Sequence, residues 1–195
     1  MLLTDPPFKP DILSLQTKRL NIRISPQEDY VQNLNTKSDQ ELQALYGFVT
    51  EDIIRMEQAK AAAGFCTHRT NLVFFHLIEK RLGIVIGSFA FHNWFPMHRR
   101  TEIGYAMLQD EYKNMGFMSE AIQLIIPFGF QQMDLNRMEA FIHPENVASR
   151  KLVEGMGFKQ EGWLKEHFCK NDRIEDSLVY GLLEREFNGS KNIRR

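Results

Sequence analysis

The stretch EYKNMGFMSEAIQLIIPFGFQQM (Glu111–Met133) limits this chain more than any other: a polar turn passes through Gly116 and opens a long apolar helix. TEIGYAML, just before it, alternates as a strand does. A strand feeding a glycine turn and then a helix leaves a row of unbonded backbone N–H groups at the positive end of the helix dipole, a geometry suited to phosphate. Pro127 sits eleven positions beyond Gly116. It removes one helical hydrogen bond and crowds the preceding turn, at about 3 kcal/mol unless the helix bends, so a kink is predicted near Gln123–Pro127. After the helix, RMEAFI reads as a strand, HPEN as a turn and VASRKLVEGM as a second helical run closed by Gly157.

Upstream, residues 1–14 are proline-rich and aperiodic and read as an irregular arm. The first periodic strand is RLNIRI, with Leu20, Ile22 and Ile24 alternating against polar neighbours. SPQEDYVQNL then predicts a helix with Ser25 as N-cap, Pro26 at the first helical position and Glu28 completing a capping box. Helical stretches follow over Asp39–Tyr46 and over Glu51–Gly64, the latter with acids at its start and glycine at its end. NLVFFHLIEKR, IVIGSFAFHNWF and RRTEIGYAML are β-rich runs with short connections, which favours an antiparallel meander. The change near Gln109 to strand–helix–strand units predicts a mixed sheet with helices on its faces. GFKQEGWLKEHFCKN and IEDSLVYGLLER, joined at Asn171–Asp172, read as a closing antiparallel pair, and residues 188–195 as a flexible basic tail.

A chain of 195 residues suits one domain, here expected over residues 15–187. The net charge of −1 gives no sequence-wide nucleic-acid footprint. Cys66 and Cys169 are isolated, without metal or CxxC spacing, which argues against a disulfide framework or a metal site and fits a reduced, cytoplasmic compartment. MLLTDPPFKP has an early acid and three prolines where a signal peptide needs a basic start and an apolar run. No stretch approaches the roughly 20 apolar residues of a membrane span.

The order of strand, KNMGFM turn, helix, strand, HPENVAS and a helix ending in GF resembles the GNAT acetyltransferases. TEIGY and the terminal EDSLVYGLL look most like their RimJ/RimL branch, which acetylates N-terminal amines of ribosomal proteins. The resemblance runs from TKRLNIR to LLEREF. It implies an α/β fold, a mixed and mostly antiparallel sheet of about seven strands flanked by helices, with central parallel strands splayed to hold acetyl-CoA. It further implies an acetyl-CoA-dependent N-acetyltransferase in which an amine attacks the thioester directly in a ternary complex. A ribosomal-protein N-terminus would be the acceptor, no membrane or nucleic acid is expected as partner, and a homodimer is compatible with the branch.

By the same resemblance the family's phosphate loop falls on Lys113, Asn114, Met115, Gly116, Phe117 and Met118, with Ser119 beginning the helix. Lys113 keeps a cation, Gly116 is retained, and Met118 departs from the usual glycine or alanine, where it could crowd a pyrophosphate. The family's asparagine falls on Asn146. The place of its thiolate-protonating tyrosine is Val153, so the resemblance moves that role to the hydroxyl of Ser149. Ser149 reads equally well as a local cap bonding near Asn146.

On TEIGYAML the period of two puts Glu102, Gly104 and Ala106 on one face and Ile103, Tyr105 and Met107 on the other. The resemblance makes Glu102 the acceptor of the amine's proton and aims backbone groups of Ala106, Met107 and Leu108 at the pantetheine, one N–H serving as oxyanion donor. A glutamate with a reference pKa of about 4.3 matches an α-amine at about 7.7–8.0 better than a lysine at about 10.4, more so if part-burial raises it. The plainer reading of Glu102 is a solvated residue or a salt bridge to Arg99 or Arg100. Gly104 marks a close backbone approach or a bulge. His143 suits a turn, Trp94 and Phe95 anchor the loop HNWFPMHRR, and Cys169 has no neighbour that would activate it. An aminoglycoside or polyamine acceptor, a non-catalytic acyl-CoA sensor, and an RNA-associated adaptor using the basic tail are the competing readings.

Overall fold

The computed structural model of the chain describes residues 10–64, 71–170 and 172–187. Cys66, most of the expected arm, Asn171 of the last turn and the expected tail lie outside them. The chain divides into two units, Met1–Asn93 with Gly104–Leu124, and Trp94–Ile103 with Ile125–Arg195.

The first unit holds β1 (Ser14–Gln16), β2 (Leu20–Pro26), helices α1 (Gln27–Thr36), α2 (Asp39–Tyr46) and α3 (Glu51–Ala62), β3 (Asn71–Glu79) and most of β4 (Val85–Phe95). It also holds the C-terminal half of β5 (Arg100–Met107) and the start of α4 (Phe117–Gln132). β1 was not expected. Three residues are too few to show a period, and only its antiparallel register with β2, Leu15↔Ile22, reveals it. RLNIRI is therefore the second strand, paired antiparallel with β3 through Ile22↔Leu77 and Ile24↔Phe75.

That pairing runs on to Ser25↔Phe74 and Pro26↔Val73, which overturns the predicted capping box. Ser25 is buried in the ladder, Pro26 occupies the N-cap position of α1, and no side chain caps the helix. α2 begins after Ser38, which exchanges with Glu41 the two bonds of a capping box, and ends at Gly47 with φ of +72°. α3 starts at Thr50, whose hydroxyl accepts from the Ile53 N–H. The three helices bury Tyr30, Leu34, Leu42, Tyr46, Ile54 and Ala61 together, with Phe74 packed against them. His76 is buried among the same rings, 4.7 Å from Tyr46 between centroids. The opposite face of β3 carries Val73, Phe75 and Leu77, and Phe75 meets Phe89 and Phe91 edge-on.

β4 reaches Phe95, so HNWF is strand rather than loop, and a single 3-10 turn over Pro96–His98 connects it to β5. The second unit adds β6 (Arg137–Ile142), α5 (Val147–Gly155), β7 (Lys159–Lys170) and β8 (Arg173–Leu183) to the N-terminal half of β5. β5 and β6 are parallel, in register only over Arg100–Glu102 with Arg137–Glu139. β6 and β7 each pair antiparallel with β8. The order is β1-β2-β3-β4-β5-β6-β8-β7, an eight-stranded mixed sheet where about seven strands were expected. Its extra member is β1.

α4 continues through Pro127 without a break. The carbonyl that loses its donor belongs to Gln123, which is exposed, so water can take its place. No described helix is long and apolar enough to cross a membrane.

Candidate active site

The turn that enters α4 is built from local backbone preferences. A 3-10 turn over Asp110–Tyr112 ends with the Lys113 N–H donating to the Asp110 carbonyl at 3.0 Å, and Asn114 and Gly116 then take φ of +59° and +76°. Glycine adopts that conformation without strain and asparagine more easily than most residues. The first intrahelical bond runs from the Glu120 N–H to the Gly116 carbonyl, 3.0 Å. The N–H groups of Phe117, Met118 and Ser119 precede it and face out of the helix end.

Lys113, Asn114, Met115, Gly116 and Ser119 are exposed, whereas Phe117 and Met118 are buried. The Met118 side chain therefore packs into the core and does not crowd the loop, which removes the reason for expecting interference there. Lys113 turns its ammonium to Asp110, 2.5 Å away, and this pairing holds the Asp110 carboxyl below its usual range.

Sequence reasoning missed Arg19, just ahead of β2. Its Nε donates to Glu120 Oε2 at 2.6 Å, its backbone N–H to Glu120 Oε1 at 2.8 Å and its Nη1 to the Met115 carbonyl at 2.9 Å. The guanidinium also lies 4.1 Å from the centroid of the Phe117 ring. With partners 96 and 101 residues distant, no local pattern could announce it. Burial raises the pKa of the Glu120 carboxyl, but hydrogen bonds from Thr17 and Arg19 outweigh that and leave it below its ordinary value.

Just past the end of β5 the Leu108 N–H donates to the Ile86 carbonyl of β4 at 3.0 Å. Strand alternation sends the backbone groups of Ala106 the same way and turns those of Met107 to the opposite edge. Ala106 is exposed; Met107 and Leu108 are half-buried. Gly104 has a particular neighbour, because a β-carbon there would lie 2.9 Å from His92 Nε2. The close approach that this glycine permits is to an imidazole on β4.

The second unit holds the other three candidates. Glu102 is half-buried and stands opposite Glu139 in the parallel register. Arg100 Nη1 donates to Glu139 at 3.0 Å and Arg137 Nε to its other oxygen at 2.8 Å, while Arg137 also forks onto Glu161. Glu161 first and Glu139 after it hold the Arg137 guanidinium above its ordinary value. Arg99 is paired with Asp134 at 2.8 Å. Each of the two arginines that the sequence offered to Glu102 also pairs with another carboxylate.

Asn146 is the N-cap of α5, its Oδ1 accepting from the Ser149 N–H at 3.1 Å. The capping side chain is that of Asn146, and the Ser149 side chain is half-buried in the first turn. His143 plays the part expected of it in the turn, accepting the Glu145 N–H at Nδ1 and the Asn146 N–H at its carbonyl. The structure brings Ala106–Leu108 and Lys113–Ser119 together in one unit, and Glu102, Asn146 and Ser149 in the other.

The family profile described as an acetyltransferase (GNAT) domain matches residues 19–159. The chain belongs to the GNAT acetyltransferase family. This GNAT enzyme is 31% identical over 176 residues to the uncharacterized N-acetyltransferase YnaD of Bacillus subtilis, covering 90% of the chain and 100% of the relative. It is 37% identical over 115 residues to the uncharacterized N-acetyltransferase p20 of Bacillus licheniformis, covering 59% of the chain and 64% of p20. The crystal structure of a GNAT-family acetyltransferase from Bacillus anthracis superposes with a TM-score of 0.62 at 29% identity, over 89% of this chain and 99% of that one. Two further GNAT relatives carry acceptor names. The ribosomal-protein-serine acetyltransferase of Escherichia coli is 30% identical over 99 residues, 51% of this chain and 55% of that one. The spermidine N-acetyltransferase of Vibrio cholerae, solved with CoA and spermine, superposes with a TM-score of 0.62 at 20% identity, over 87% of this chain and 98% of that one. As a GNAT N-acetyltransferase, the chain uses acetyl-CoA and an amine acceptor.

Proposed function

We propose that this enzyme acetylates the N-terminal α-amine of a protein, a ribosomal protein in the first instance. One observation carries the choice over a polyamine. Glu139, opposite Glu102 on β6, and Glu161 on β7 are already paired with Arg100 and Arg137. A polycation needs several carboxylates not already matched by arginines, and these two are so matched. The greater likeness to a ribosomal-protein-serine acetyltransferase than to a spermidine enzyme supports the same choice.

In this reading the amides of Phe117, Met118 and Ser119 receive the pyrophosphate, and the turn Asn114–Gly116 borders it, while the Lys113 ammonium stays on Asp110. The thioester of the bound cosubstrate supplies the acetyl group. The Met107 N–H, turned away from the β4 ladder, donates to the carbonyl oxygen as negative charge develops there. Glu102 takes the proton from the attacking amine, directly or through water, and the Ser149 hydroxyl donates to the departing sulfur. Asn146 holds Ser149 in place through its N–H. A cytoplasmic location and a homodimer belong to the same proposal.

The test is thiol release with acetyl-CoA and a panel of peptides with free N-termini, spermidine and an aminoglycoside. We expect kcat/KM for the peptides to exceed that for spermidine by about tenfold or more, the discrimination of roughly one extra charged contact. Preference for spermidine would reverse the assignment.

A further inference from the structure

We propose that Arg19 is a positioning residue for acetyl-CoA, holding the Met115–Glu120 turn so that its free amides face the cosubstrate and keeping the Glu120 carboxylate away from them. The inference rests on the family's use of acetyl-CoA and is independent of which amine accepts the acetyl group.

A helix N-terminus attracts anions without distinguishing a ligand's phosphate from the protein's own carboxylate. Glu120 lies in the first turn of α4, one residue beyond the last free amide, and the bonds from Thr17 and Arg19 keep it ionised. Left alone, that carboxylate would fold back onto the open N–H groups, or repel a pyrophosphate arriving there. Arg19 prevents both, since its backbone N–H and Nε hold the two carboxylate oxygens on the side of β2.

The same guanidinium fastens the other end of the turn. Nη1 holds the Met115 carbonyl, one residue before Gly116, and the guanidinium plane covers the Phe117 ring, one residue after it. Nη2 takes part in none of these bonds and lies 3.6 Å from the point a β-carbon on Gly116 would occupy. Lys113, the cation that the sequence motif offers, is exposed and paired with Asp110. The positive charge that serves this turn therefore comes from Arg19. A lysine could not replace it, because one ammonium cannot span Met115 and Glu120 as the planar fork does.

The experiment is calorimetric titration with CoA of the wild type, Arg19→Gln, Lys113→Gln, Glu120→Gln and the double variant Arg19→Gln/Glu120→Gln, each checked by thermal unfolding. Arg19→Gln should weaken CoA binding about tenfold, in line with loss of a charge-assisted clamp. Lys113→Gln should change it less than about twofold, as expected for an exposed pair. Adding Glu120→Gln to Arg19→Gln should recover about threefold, because the displaced charge has been removed. A general loss of stability would not produce that recovery. Should Arg19→Gln fail to fold, Arg19→Lys takes its place, with a similar loss expected. The inference fails if the Arg19 variant binds CoA as the wild type does, if Lys113→Gln loses as much, or if the double variant is no better than the single one. Wild-type protein that binds CoA yet acetylates no peptide would count against the proposed acceptor and leave the role of Arg19 intact.

Discussion

Glu102 stands on β5 at the last residue pair that this strand shares with β6, opposite a glutamate already held by two arginines. Two arginines neutralise Glu139 in place, which leaves that carboxylate out of the proposed base role and gives the role to Glu102. Glu102→Gln should lower kcat by about a hundredfold or more, the usual range for removing a general base, with CoA affinity unchanged. The loss should be largest below the amine's own pKa, where the proton must be removed. A variant with wild-type kcat across that range would end the catalytic reading. The residue scale is also where local spacing misled or fell silent. Met118 looked like an obstruction because it stands where the family usually has glycine or alanine, yet it sits buried at the second position of a helix whose inner face is the core. Arg19 gave no signal at all.

At the scale of elements, the caps separate what is local from what is not. α2 is eight residues long, too short to persist on its own, and its Ser38–Glu41 capping box satisfies the amides at its start. Ser38→Ala should cost about 1 kcal/mol in urea unfolding, and a change below a few tenths would mean that packing alone sets the helix start. The neighbouring prediction for α1 failed although the residues fit the same pattern. The ladder between β2 and β3 extends through Ser25 and Pro26, and strand pairing won the serine that the helix could have used. The Ser38–Glu41 box of α2, which the sequence reading did not single out, forms where no strand competes for its serine. The long strands, α4 and its entry turn, the β6–turn–α5 unit and the closing hairpin were legible because each carries its period within one segment, whereas β1 exists only by pairing.

For the whole molecule, His76 is the most pH-sensitive feature of the described core. It is 3% exposed, with both ring nitrogens unbonded among the described residues. Tyr30, Tyr46 and Phe74 surround it, and Arg23 stands opposite on β2. Burial first, and the Arg23 charge second, push its pKa down to about 3. An unfolded chain takes up that proton near pH 6.5, so the folded state binds fewer protons below this point. Stability should be intact above about pH 6.5 and fall by about 1.4 kcal/mol per unit as the pH drops toward 3, from this residue alone. Urea unfolding between pH 4.5 and 7, taken as about the accessible window, should show the slope in the wild type and a flatter one in His76→Phe. Equal slopes would assign the acid sensitivity elsewhere.

The sequence by itself determined the elements whose cause is local: amide rows opened by a glycine turn, alternating strands, capped helices, and through them the family and its cosubstrate. Tertiary structure decided which groups distant in sequence pair with one another. It took Arg100 to Glu139 and the Leu108 amide to Ile86, and brought Arg19 across 101 residues to Glu120. The reason is physical. A helix or strand repeats every few residues and so is written into neighbouring positions, whereas a charge is satisfied by whatever the sheet register places within about 3 Å of it.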